Sequence, residues 1–260
     1  MKPLRRRAGG PVRIGHRGAG ALEPENTLRS FRRAIELGVD FVEFDVLDLA
    51  DGTLVVAHSD DLAEVSHGRA AGRVRPLALD QLLRFAPELP TFEEALGFFA
   101  CERVGVHVDV KCRRHGGDVA RALGAHGLAD RAVVSSFWPE TLADARAASA
   151  ELAVALTYPE DRRGLASRRV LAPLVMPAIV LLGRALPHRL PRWLAATPVQ
   201  VAMLHYGVVS AAAVERCHAA GAAVWAWTVN SEDVLGRVLA AGVDGVISDD
   251  PRILGATLTP

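Results

Sequence analysis

Lysine is nearly absent from this chain: Lys2 and Lys111 are the only two, and arginine carries the rest of the positive charge. Net charge is absent as well, with 30 basic residues against 30 acidic ones. No global field therefore draws the chain to nucleic acid, and any anion recognition has to be local. The three cysteines, Cys101, Cys112 and Cys217, show no paired spacing, which argues against a disulfide framework or a cysteine zinc site. The longest uninterrupted apolar run, residues 170 to 183, falls short of the about 20 residues a spanning helix needs, and Pro173 and Pro177 break it. No apolar stretch follows the basic start MKPLRRRAGGPVRIG, so no signal peptide is expected and a reducing cytoplasm fits best.

Half of the 260 residues are hydrophobic, enough for one large core, and a single domain over residues 1 to 260 is the expectation. Short runs rich in valine and isoleucine alternate with amphipathic segments. The runs near 12–15, 40–46, 104–110, 132–137, 151–157, 199–204, 223–229 and 244–249 read as eight strands joined by helices. That pattern predicts a closed (β/α)8 barrel, the TIM barrel, whose sites lie at the C-terminal ends of its strands. Thr91 and Glu94 form a capping box before one helix, and Gly38 ends another. One segment breaks the rhythm. DVLDLADGTLVVAHSD turns at Asp51–Gly52 and re-enters a β-like run too soon for a parallel crossover. It predicts an extra hairpin strand after strand 2, running back antiparallel and bringing His58 level with Glu43 and Asp45.

Glu43 and Asp45 share one face of a strand by parity, as do His107, Asp109 and Lys111 on the next. Buried carboxylates are costly unless paired or bound to a cation, and the alternative to a metal is a salt-bridged strand end. Three carboxylates make an all-oxygen site suited to a hard divalent ion, Mg²⁺ or Ca²⁺; zinc would want more nitrogen or sulfur. Lys111 and Arg17 are candidate fixed charges for an anion. Arg17 lies in GHRGAGALEPENTLRSF, residues 15 to 31, where Gly15, Gly18 and Gly20 permit unusual backbone and close ligand approach. His16 and His58 form a candidate proton-transfer pair, since imidazole accepts and donates near neutral pH. In the same stretch, Glu25 and Asn26 are weaker candidates for contact with the site, and a cap on the following helix from Asn26 or Thr27 is the first expectation. His107 reads as core, and Ser135 and Ser136 as polar strand ends.

The ordered series HRG (16–18), PENT (24–27), EFDV (43–46), DG (51–52), VVAH (55–58), VDVK (108–111), VSSF (134–137), WTVN (227–230) and VDGVISDDP (243–251) resembles the glycerophosphodiester phosphodiesterase family over nearly the whole chain. The resemblance implies a TIM barrel and metal-dependent hydrolysis of glycerophosphodiesters to glycerol 3-phosphate and an alcohol. By position it implies His16 and His58 as acid and base, and Glu43, Asp45 and Asp109 as metal ligands. Arg17 and Lys111 then contact phosphate, and Trp227 lines the substrate pocket. Two departures stand out. Asp109 occupies a position where the family usually has Glu. Where the family usually has an Asp directly after the second histidine, Ser59 stands between His58 and Asp60, a difference that bears on how the His58 ring is oriented.

Residues 165 to 195 read as a helical insertion, with arginines flanking an apolar segment and prolines at 173, 177, 187 and 191 dividing it into short pieces. The insertion motivates a lysophospholipase D acting on lysolipids as an alternative activity, and a peripheral membrane contact through 168–194. A non-catalytic phosphate-ligand barrel is the second alternative. No nucleic acid and no obligate protein partner are expected.

Overall fold

The computed structural model describes residues 3–8, 10–159 and 172–257. Its eight parallel strands are β1 (Val12–Gly15), β2 (Phe41–Asp48), β4 (Gly105–Val110), β5 (Ala132–Ser136), β6 (Ala153–Tyr158), β7 (Val201–His205), β8 (Ala223–Trp227) and β9 (Gly245–Ser248). Each pairs with the next, and β1 pairs with both β2 and β9, so the sheet closes into a barrel. The hairpin strand β3 (Leu54–Val55) lies outside the ring, antiparallel to the end of β2. The eight expected strands and the extra hairpin are all present. The hairpin ladder is shorter than the sequence suggests: it holds only Leu47 against Val55 and Asp48 against Leu54. Beyond it the chain pairs elsewhere, with the Val56 amide donating to the Pro90 carbonyl.

Strand parity divides the core. Inward residues such as Ile14, Phe41, Val133, Met203, Trp225 and Ile247 fill the barrel, and outward residues such as Phe44, Val108, Val134 and Val224 pack under the helices. Phe41 and Trp225 meet edge-on at 5.1 Å between ring centroids and plug the barrel's lower half. Above that plug the inward positions turn polar: Glu43 and Asp45 on β2, His107 and Asp109 on β4, Ser135 on β5.

The ring helices are α1 (Leu28–Glu36), α4 (Phe92–Ala100), α5 (Gly116–Ala125), α6 (Pro139–Ala148), α7 (Ala172–Ala196), α8 (Ala211–Ala219) and α9 (Glu232–Ala240). Two short ones, α2 (Leu62–Val65) and α3 (Leu79–Phe85), occupy the excursion between β3 and α4. Thr91 and Glu94 make the expected capping box on α4. Thr27 caps α1 by accepting from the Ser30 amide, which leaves Asn26 free for other work.

The insertion corrects one expectation. Pro177, Pro187 and Pro191 do not divide it; they lie inside one 25-residue helix, α7. Leu186, Leu190 and Leu194 recur every four residues and face the core, so tertiary packing overrides the propensity of proline to end a helix. Residues 165–171 of the expected insertion lie outside the described residues. No helix among the described residues is long and apolar enough to cross a membrane.

Candidate active site

A cavity of about 650 Å³ opens at the C-terminal ends of the strands. His16, Arg17, Glu43, His58, Asp109, Lys111 and Trp227 all line it. Asp45 lies just beneath, fully buried. The eight residues singled out from the sequence therefore converge on one place, carried there by β1, β2, the hairpin, β4 and β8.

The three acids are the centre. In-register pairing puts Asp45 beside Asp109 and Glu43 beside His107, and one oxygen from each of Glu43, Asp45 and Asp109 falls within 4.8 Å of the others. Burial pushes the Glu43 carboxyl well above its ordinary value, and the neighbouring Asp45 and Asp109 push it further. Burial also opposes ionisation of Asp45 and Asp109, but Lys111, with Arg17 beside Asp45, holds both below the usual carboxylate range. Lys111 Nζ is 2.5 Å from Asp109 Oδ2 and 3.0 Å from Asp45 Oδ1. Arg17 Nε is 3.2 Å from Asp45 Oδ2. Two cations thus face three buried acids. Three buried carboxylates converging against two cations fit a hard divalent cation.

Behind this centre, Ser135 donates its hydroxyl to Asp109 Oδ1 at 2.7 Å and sits 2.8 Å from His107 Nε2. Burial drives His107 down to about 4, so the ring is neutral and belongs to the support of Asp109, in line with its reading as core. Asn26 is buried and adopts φ 58°. Its amide donates to Asp45 Oδ2 at 3.0 Å, and its carbonyl accepts the Asp45 backbone N–H at 3.2 Å. Capping was the expected role of Asn26 or Thr27; Thr27 has it, and Asn26 clamps a site carboxylate. The neighbouring Glu25 pairs with Arg17 Nη1 at 2.7 Å.

The glycines of the opening loop serve the backbone. Gly18 has φ +86°, and a Cβ there would lie 2.3 Å from Ser30 Oγ; a Cβ on Gly15 would lie 2.3 Å from the Gly18 carbonyl oxygen. The tight turn they allow presents the Arg17 amide to Glu43 Oε2 at 2.7 Å.

Each histidine is held by a carboxylate that the sequence reading did not name. His16 Nδ1 is 2.5 Å from Asp249 Oδ1, and His58 Nδ1 is 2.6 Å from Glu64 Oε1. Asp249 follows β9, 233 positions from His16, while Glu64 lies on α2 only six residues after His58, outside the VVAH motif. The Asp-Asp pair at 249–250 in the VDGVISDDP run was the only signal for Asp249, and the missing acid after His58 the only one for Glu64.

Chain and fold together now bear comparison with known proteins. A family model described as the glycerophosphoryl diester phosphodiesterase family matches residues 16–253. The chain belongs to that family. Among its relatives, a glycerophosphodiester phosphodiesterase of Caldanaerobacter subterraneus subsp. tengcongensis is 28% identical over 259 residues, covering 93% of this chain and 95% of the relative. A phosphodiesterase of Oleispira antarctica, solved in complex with the product sn-glycerol-3-phosphate, shares the fold with a TM-score of 0.74 at 23% identity, covering 95% of this chain and 96% of that one. A glycerophosphodiester phosphodiesterase of Thermotoga maritima matches with a TM-score of 0.70 at 21% identity, covering 95% and 97%.

Proposed function

We propose that this chain hydrolyses glycerophosphodiesters to glycerol 3-phosphate and an alcohol, with a divalent metal ion, Mg²⁺ or Ca²⁺, held by Glu43, Asp45 and Asp109. Bound there, the ion supplies charge stabilisation for the phosphoryl oxygens. The observation that carries the reading is the pairing of two carboxylate-held histidines with a three-acid cluster around one cavity. Family membership supports it.

His16 and His58 are the proton-transfer pair. An ionised carboxylate only accepts, so a ring bonded to it through Nδ1 carries its proton there and turns Nε2 to the reaction. One histidine takes the proton of the attacking oxygen, and the other returns one to the departing alkoxide. Arg17 and Lys111 bind the non-bridging phosphate oxygens, and both are held fully protonated by the surrounding acids against the pull of burial. Trp227 walls the substrate pocket beside His205, their rings 5.2 Å apart.

The test is turnover of glycerophosphocholine with Mg²⁺, Ca²⁺ or Mn²⁺ added in turn. Metal-dependent release of glycerol 3-phosphate is expected, with His16→Ala and His58→Ala each lowering kcat by about 10² or more. Binding without turnover under every metal would leave the non-catalytic barrel in its place.

A second reading, lysophospholipase D activity at a membrane surface, is favoured by α7. Ile179 lines the cavity together with Phe137, Trp138 and Pro159. On the same helix Val180 and Leu181 are 47% and 64% exposed, and Arg184, His188 and Arg189 continue the exposed side with no acidic residue in the helix. An apolar knob with a basic flank suits an anionic lipid surface.

A further inference from the structure

Of the two proton-transfer candidates, His58 is the less secured by the barrel. It lies past the short hairpin ladder, which ends at Val55, and its side chain is 34% exposed. A ring on such a segment has no strand to fix its rotamer. Ser59, the residue that follows it, carries no charge. Glu64 reaches back from α2 and takes both side chains at once. Its Oε1 meets His58 Nδ1 at 2.6 Å, and its Oε2 accepts the Ser59 hydroxyl at 2.7 Å. Both carboxylate oxygens are committed. Asp60 is not available for the task, since it accepts from Arg73 and from the Arg75 amide. Asp61 is likewise spent, capping α2 through the Ala63 amide.

We infer that Glu64 is the positioning residue of His58, fixing the ring's plane and its Nδ1–H tautomer so that Nε2 is the nitrogen offered to substrate. This rests on the reading of His58 as a proton-transfer group. The hydrogen bond from His58 draws the Glu64 carboxyl down to about 2, with Ser59 adding to the effect, so the group stays ionised and can only accept. Stability does not explain the arrangement: the Glu64 side chain is 40% exposed, and exposed ion pairs contribute little to folding. What the pair does fix is direction. It also offers a compensating charge when the ring takes a second proton. The pairing mirrors that of His16 with Asp249, built from an unrelated part of the chain. Arg17 Nη1, 3.9 Å from Glu64 Oε1, ties the same carboxylate loosely to the phosphate-binding side.

The test uses Glu64→Ala and the nearly isosteric Glu64→Gln in the full chain. With glycerophosphocholine, both are expected to lower kcat by about 10- to 100-fold while KM changes by less than about 2-fold. In a His58→Ala background, Glu64→Ala is expected to cost nothing further, because the two residues act as one unit. Ring ¹⁵N NMR at alkaline pH, with no substrate or metal present, is expected to show His58 as the Nδ1–H tautomer and Glu64→Ala to shift it toward Nε2–H. The inference is overturned if both variants turn over within about 2-fold of the parent, if the loss persists undiminished in the His58→Ala background, or if the tautomer is unchanged. Failure of His58→Ala itself to lose activity would instead remove the reading beneath it.

Discussion

His16 and Asp249 meet at 2.5 Å although 233 positions separate them in the chain. They join the first and last strands of the barrel, β1 and β9, which pair in register and close the ring. Asn230, following β8, donates to the other Asp249 oxygen at 2.5 Å and accepts the Asp249 amide at 3.0 Å. Barrel closure and the orientation of the proposed proton-transfer group are thus one event. Burial pushes the Asp249 carboxyl up, but the hydrogen bonds from His16 and Asn230 outweigh it and hold the group below its ordinary value.

Asp249→Asn is therefore expected to lower kcat by about 10-fold or more with KM little changed, because the amide can present a donor to Nδ1 and favour the wrong tautomer. Steady-state kinetics on glycerophosphocholine checks this. A variant with a parental kcat would detach Asp249 from the reaction.

Metal removal is the second prediction. Exhaustive chelation is expected to abolish turnover and to lower Tm, since an ion that binds only the native state stabilises it. Calorimetry with and without Mg²⁺ or Ca²⁺ reads the Tm directly. Asp109→Glu is expected to change metal affinity measurably by titration calorimetry, because the longer side chain has to displace contacts with Lys111 and Ser135. Activity that survives chelation would leave the three acids needing another account.

Asn26 and Thr27 are adjacent but are expected to behave differently. Thr27→Ala removes a helix cap and is expected to cost about 1 kcal/mol of stability with metal affinity unchanged. Asn26→Ala strips the clamp from Asp45, leaves a buried amide N–H unpaired and places alanine at φ 58°, for an expected loss of about 2–4 kcal/mol. It should also weaken metal binding. Denaturant unfolding and metal titration of the two variants separate a cap from a clamp.

The apolar residues 179–181 of α7 separate the two substrate readings. Ile179→Ser is expected to slow turnover of lysophosphatidylcholine more than that of glycerophosphocholine. Val180→Ser with Leu181→Ser is expected to reduce co-sedimentation with anionic vesicles and to spare the soluble substrate. Equal losses on both substrates, or vesicle binding that is unaltered, would reduce α7 to a structural helix.

Strand parity and the valine-rich runs were enough to read eight strands, the hairpin and the face on which Glu43, Asp45, Asp109 and Lys111 stand, because period-2 alternation is a local property that survives folding. Motif order was enough for the family. The inward-facing charges on β2 and β4 announced the site for the same reason, since buried acids have to be accounted for. What the sequence could not decide was everything that crosses the barrel. Asp249 reaches His16 only because β9 closes against β1. Glu64 reaches His58 only because α2 folds back over the hairpin. Asn26 turns away from capping because its backbone enters the left-handed region beside Asp45. The prolines of α7 stay inside one helix because a row of leucines is buried against the core. In each case a contact made only in the folded chain outweighs a local preference, and local preference is all that a short window of sequence records.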